Sequence, residues 1–91
     1  MTTIKVETLN DNTFRVTVAG KTTTEHRVTV SPGYREKLTA GRMSAEDLVK
    51  VSFEFLLQRE PNTSILRSFD LPVIGEYFPE YERTIRQMLK G

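Results

Sequence analysis

The hydrophobic period of this chain changes at Ser31-Pro32: apolar residues before that point alternate as in strands, and those after it recur as in helices. The break limits the fold to a sheet followed by helices that cover it. Ile4, Val6 and Thr8 alternate with Lys5 and Glu7, and Phe14, Val16 and Val18 alternate with Arg15 and Thr17. His26, Val28 and Val30 alternate with Glu25, Arg27 and Thr29, the period of half-buried strands. Asn10-Asp11-Asn12 reads as a hairpin connection, because Asn and Asp tolerate left-handed backbone and bond their own main chain. Ala19-Gly20-Lys21 supplies the next turn, so residues 1–30 read as a three-stranded antiparallel meander with one apolar face.

A meander this small must bury that face, and residues 31–91 are the only material available. Ser31 is an N-cap with Pro32 at the first helical position, where its missing N–H costs nothing, and Gly41 offers a left-handed stop to a short first helix. Ser44 is the next N-cap, and the stretch from there to about Arg59 contains no Gly or Pro. Its polar stripe, Asp47, Lys50, Glu54 and Gln58, is narrow, which predicts a buried central helix. Pro61 ends it, Asn62 opens a short helical or turn segment through Ile65, Leu66 and Phe69, and Asp70-Leu71-Pro72 is another helix start. After Pro79, Tyr81, Ile85, Met88 and Leu89 stand at i, i+4, i+7 and i+8, an amphipathic C-terminal helix. The expected class is α+β in a single domain over 1–91, with sheet in 1–30 and helices in 31–91.

Cysteine is absent and His26 is the only histidine, which removes disulfides, thiolate catalysis and paired-imidazole metal sites; no cofactor is implied. Thirteen basic residues against twelve acidic ones are spread evenly along the chain, so no electrostatic footprint for nucleic acid stands out. The N-terminus lacks an apolar secretory core, and no run of about 18 apolar residues occurs, so a cytoplasmic protein with no membrane contact is expected.

No nucleophile elbow, phosphate loop or EF-hand spacing is present. As a general base His26 would need an orienting acid and a reacting group in reach, and it reads instead as a strand-end histidine at the core margin. The acidic residues of the long helix fall on its wet side. Five Phe and three Tyr are present, and four of these eight, Phe69, Tyr77, Phe78 and Tyr81, fall within positions 69–81. Such a cluster serves either as a protein-docking surface or as core folded over the long helix.

Thr24-Glu25-His26-Arg27-Val28-Thr29-Val30-Ser31-Pro32, a short helix, Gly41-Arg42-Met43-Ser44, Glu46 and the long helix resemble, over residues 24–58, the ribbon-helix-helix DNA-binding proteins. That resemblance implies strands paired across a dimer with outward side chains in the major groove, nominating Glu25, Arg27 and Thr29. Ser52-Phe53-Glu54-Phe55-Leu56-Leu57, Ser64-Ile65-Leu66, Phe69-Asp70-Leu71 and Tyr77-Phe78-Pro79-Glu80-Tyr81 are similar, over 44–82, to a group of short uncharacterised bacterial proteins, which implies bacterial origin and no activity.

Two functions follow as expectations. The first is a non-catalytic cytosolic protein-interaction or regulatory module, with Phe69, Tyr77, Phe78, Tyr81 and any unpaired strand edge as contact surfaces for another protein. The alternative is a dimeric DNA-binding regulator of the antitoxin kind that reads DNA through Arg27 and Thr29.

Overall fold

The computed structural model describes residues 3–90. Strands β1 (Thr3–Thr8), β2 (Thr13–Ala19) and β3 (Thr24–Thr29) pair antiparallel in sequence order. The first hairpin closes as its residues dictate: the Asn10 side-chain oxygen accepts from the backbone N–H of Asn12 and of Thr13, each at 3.1 Å. Ile4, Val6, Phe14, Val16, Val18, Val28 and Phe69 belong to the buried or half-buried core, while Lys5, Arg15, Glu25 and Arg27 are exposed on the opposite face. The molecule is thus a two-layer α+β fold, with helices on one side of the sheet and water on the other.

Helix α1 (Pro32–Thr39) is capped by Ser31, whose hydroxyl oxygen accepts from the Tyr34 N–H at 3.1 Å. Its left-handed stop comes one residue earlier than expected, at Ala40 (φ 53°), with Gly41 (φ 74°) continuing the turn. Helix α2 (Ala45–Leu57) is capped in the same way by Ser44 on Asp47 N–H. Leu48, Val49, Ser52, Phe53, Phe55 and Leu56 are buried along it, and Asp47, Lys50, Glu54 and Gln58 are exposed. It packs against β1 and β2 on one side and the last helix on the other, which explains its broad apolar circumference.

The segment after α2 departs from expectation. A 3-10 turn spans Asn62–Ser64, and a fourth strand, β4 (Ser68–Asp70), then joins the sheet parallel to β3, where a helical or turn segment is expected. The sheet order is β1-β2-β3-β4. Three residues are too few to show a period; β4 exists because β3 offers it a free edge, with Arg27 N–H donating to Arg67 C=O at 2.7 Å and Leu71 N–H to Thr29 C=O at 2.9 Å. Residues 31–91 are therefore not purely helical, and the meander of 1–30 is three strands of four.

Helices α3 (Val73–Tyr77) and α4 (Tyr81–Lys90) complete the covering layer. Tyr81 and Ile85 of α4 are buried, but Met88 is 49% exposed, so the helix buries a narrower stripe than its spacing predicts. Tyr34 donates to a Glu82 carboxylate oxygen at 2.9 Å, joining α1 to α4. The Tyr81 hydroxyl meets Ser52 Oγ at 2.6 Å inside the core. Ser52 spends its own proton on the Leu48 carbonyl at 2.7 Å, so Tyr81 is the donor.

Candidate functional site

The four tail aromatics divide according to what α2 leaves open. Tyr81 is fully buried, its ring edge-on to Phe55 at 5.3 Å, and burial pushes its phenol far above the ordinary value. It belongs to the core, and the expectation that it forms contact surface is corrected: the ring is packed against Phe55 and its hydroxyl is bound to Ser52, with nothing left exposed. Phe78 is half-buried in a T-shaped contact with Phe55 at 5.9 Å, and Phe69 is half-buried 6.1 Å from Phe53. Only Tyr77 stands out, at 65% exposed.

These residues frame an apolar groove of about 190 Å³ between the end of α2, the 3-10 turn, β4 and α3. Phe69, Tyr77 and Phe78 line it with Leu56, Ile65, Leu66 and Val73. Leu66, which sequence reasoning left unassigned, is 46% exposed, while its neighbour Ile65 is buried. Pockets for whole small molecules run to about 300–1,000 Å³, so this groove has room for one or two side chains of a partner. Among the described residues, Glu60 is the only charged one in its lining.

One wall of the groove is tied to the sheet through a buried polar chain. His26 Nδ1 lies 2.7 Å from the Leu66 carbonyl oxygen, which only accepts, so Nδ1 carries the ring proton. Nε2 then accepts from the Thr24 hydroxyl at 2.9 Å, and Thr24 Oγ1 accepts in turn from Asn62 Nδ2 at 3.0 Å. Asn62 also donates to the Thr22 carbonyl at 2.7 Å. Both imidazole nitrogens are thereby engaged, and the ring packs 5.3 Å from Phe53. Burial lowers the His26 pKa below its usual value, an effect the Leu66 carbonyl opposes and the Arg67 charge reinforces. His26 acts as a strut between β3 and the segment that carries Leu66.

Arg27 and Thr29 lie on the outer sheet face, Arg27 exposed and Thr29 half-buried. Arg27 sits directly opposite Arg15 across β2 and β3, and both share a shallow depression with Glu25 and Arg67. The main-chain groups of Arg27 point to β4, so this pair is a non-hydrogen-bonded one, in which side chains stand closest. Arg15 also reaches Glu7 at 3.3 Å. β3 has no open edge over 27–29, because β4 occupies it.

Among the described residues, no group of three or more His, Cys, Asp or Glu could hold a metal ion, and no helix is long and apolar enough to cross a membrane. No protein-family model, curated protein or solved structure matches this chain.

Proposed function

We propose that this chain is a non-catalytic protein-interaction module whose contact surface is the groove lined by Leu66, Phe69, Tyr77 and Phe78. The observation that carries this reading is the position of Tyr77, 65% exposed beside an apolar cleft while the neighbouring rings are anchored to α2. A tyrosine offers a rigid apolar body and a polar tip at small conformational cost, which suits it to a protein interface. Leu66 adds a second exposed apolar side chain at the same cleft, and large apolar groups gathered at one place on a small domain mark contact sites. The test is quantitative affinity purification from a lysate of the cells that make the protein, with wild type set against a Leu66→Asp, Tyr77→Asp double variant. A protein enriched by the wild type and lost with the variant supports the reading; identical captured sets sink it.

A second reading, contact with DNA through Arg27 and Thr29, is favoured by the grouping of Arg15, Arg27 and Arg67 on the outer face. With β3 paired on both sides, that contact would use the outer face of a single sheet and not a ribbon shared across a dimer. Glu7, Glu25 and Asp70 interrupt the basic surface, which is why this reading comes second. It requires a gel shift at low salt that fades steeply as salt rises; its absence at low salt ends the idea.

A further inference from the structure

We infer that the groove receives an extended segment of a partner protein, apolar with basic residues, which adds to the sheet as a fifth strand beside β4; this rests on the groove being a protein-contact surface. The direction of the main chain is the first reason. Arg67 C=O and Leu71 N–H both point to β3, and successive strand residues alternate, so the N–H and C=O groups of Ser68 and Asp70 point away from it. β4 is the last strand in the order, and among the described residues nothing pairs with that side. An unpaired row of donors and acceptors is the template on which peptides add to sheets.

The groove lies where such a strand would need it. Side chains of an added strand alternate between the two faces, and those on the inner face share the side of Phe69, which lines the groove with Leu66 and Tyr77. Three residues of strand span about 10 Å, enough to place one or two inward side chains, and the cavity volume admits that number. Main-chain bonds would supply the affinity and the apolar groove the selectivity.

Charge decides between a foreign segment and a second copy of this chain. Glu60 lines the groove and Glu76 is exposed beside Tyr77, and neither takes part in an ion pair among the described residues. Two copies joined edge to edge would bring these acidic rims together, whereas Lys or Arg on an incoming segment would neutralise them.

The experiment selects linear peptides of about 12 residues from a random display library on the immobilised full chain. It then measures binding of a selected peptide to the wild type, to Glu60→Lys and to the Leu66→Asp, Tyr77→Asp variant, with amide hydrogen exchange read residue by residue. The expected peptides alternate apolar and basic residues, and their affinity falls about tenfold or more in both variants. Bound peptide is expected to slow exchange at Ser68 and Asp70 by about tenfold or more. A peptide that depends on Tyr77 but leaves Ser68 and Asp70 exchange unchanged overturns strand addition while leaving the contact surface standing. A selection that enriches nothing over the double variant overturns both.

Discussion

His26 Nδ1 donates to the carbonyl oxygen of Leu66 at 2.7 Å across forty positions of sequence, so a buried strand residue holds the backbone of the groove's exposed lip. With Nδ1 donating there, the neutral ring leaves Nε2 free to accept from the Thr24 hydroxyl. A protonated ring would turn Nε2 into a donor facing an oxygen that already accepts from Asn62, and the Thr24 proton would lose its acceptor.

Stability is therefore expected to fall on mild acidification. Burial holds the folded pKa of His26 below its ordinary value, against the bond to the Leu66 carbonyl, which raises it, and the Arg67 charge lowers it further. The unfolded chain takes up the imidazole proton near pH ~6.5, where the folded chain still resists it. Between the two values the unfolded state binds more protons, so stability is complete above pH ~6.5 and declines below it, by at most about 1.4 kcal/mol per pH unit. Urea titrations from pH ~7.5 to pH ~5.5 should show the midpoint falling, and His26→Gln should flatten that dependence. A variant that keeps the full slope would assign it to other groups.

Tyr77 and Tyr81 are expected to respond oppositely. Tyr81→Phe removes the bond to Ser52 and should cost about 1 kcal/mol of stability with partner binding intact. Tyr77→Ala, at an exposed position, should change stability by less than about 0.5 kcal/mol and weaken binding. Denaturant midpoints and binding isotherms of the two variants separate the roles.

Ala40 holds a left-handed conformation with its N–H on the Glu36 carbonyl at 2.8 Å. The Cβ is strained there, and the relief from Ala40→Gly should exceed the added freedom of the unfolded chain. A net gain of about 0.5–1 kcal/mol is expected by urea denaturation; a loss would mean the turn tolerates Ala without strain.

Phe55 joins the helical layer to itself: its ring makes T-shaped contacts with Phe78 and Tyr81, and the Arg59 guanidinium carbon lies 3.6 Å from its centroid. Phe55→Ala should cost about 3–5 kcal/mol, a large share of the stability of a domain this size. Thermal unfolding followed by circular dichroism reads the change directly.

What was legible in the chain beforehand was local. The hairpin at Asn10, the caps at Ser31 and Ser44, the three antiparallel strands and the narrow wet stripe of α2 each follow from residues within a few positions of one another. β4 was not legible, because its three residues carry no period and its partners lie 41 positions away on β3. Nor was the division of the aromatic cluster. Tyr77 and Tyr81 are four residues apart, a spacing that would align them on one helix, but Pro79 separates α3 from α4 and turns one ring outward and the other inward. In the Ile65-Leu66 pair one side chain must face in, and no flanking period says which.

The most direct measurement is site-specific photo-cross-linking in cells, with a benzoylphenylalanine placed at Tyr77 in one experiment and at Glu25 on the outer sheet face in another. A discrete adduct of one mass from position 77, absent from position 25, is the expected result. Adducts indistinguishable between the two positions, or none at position 77, would contradict a contact surface at the groove.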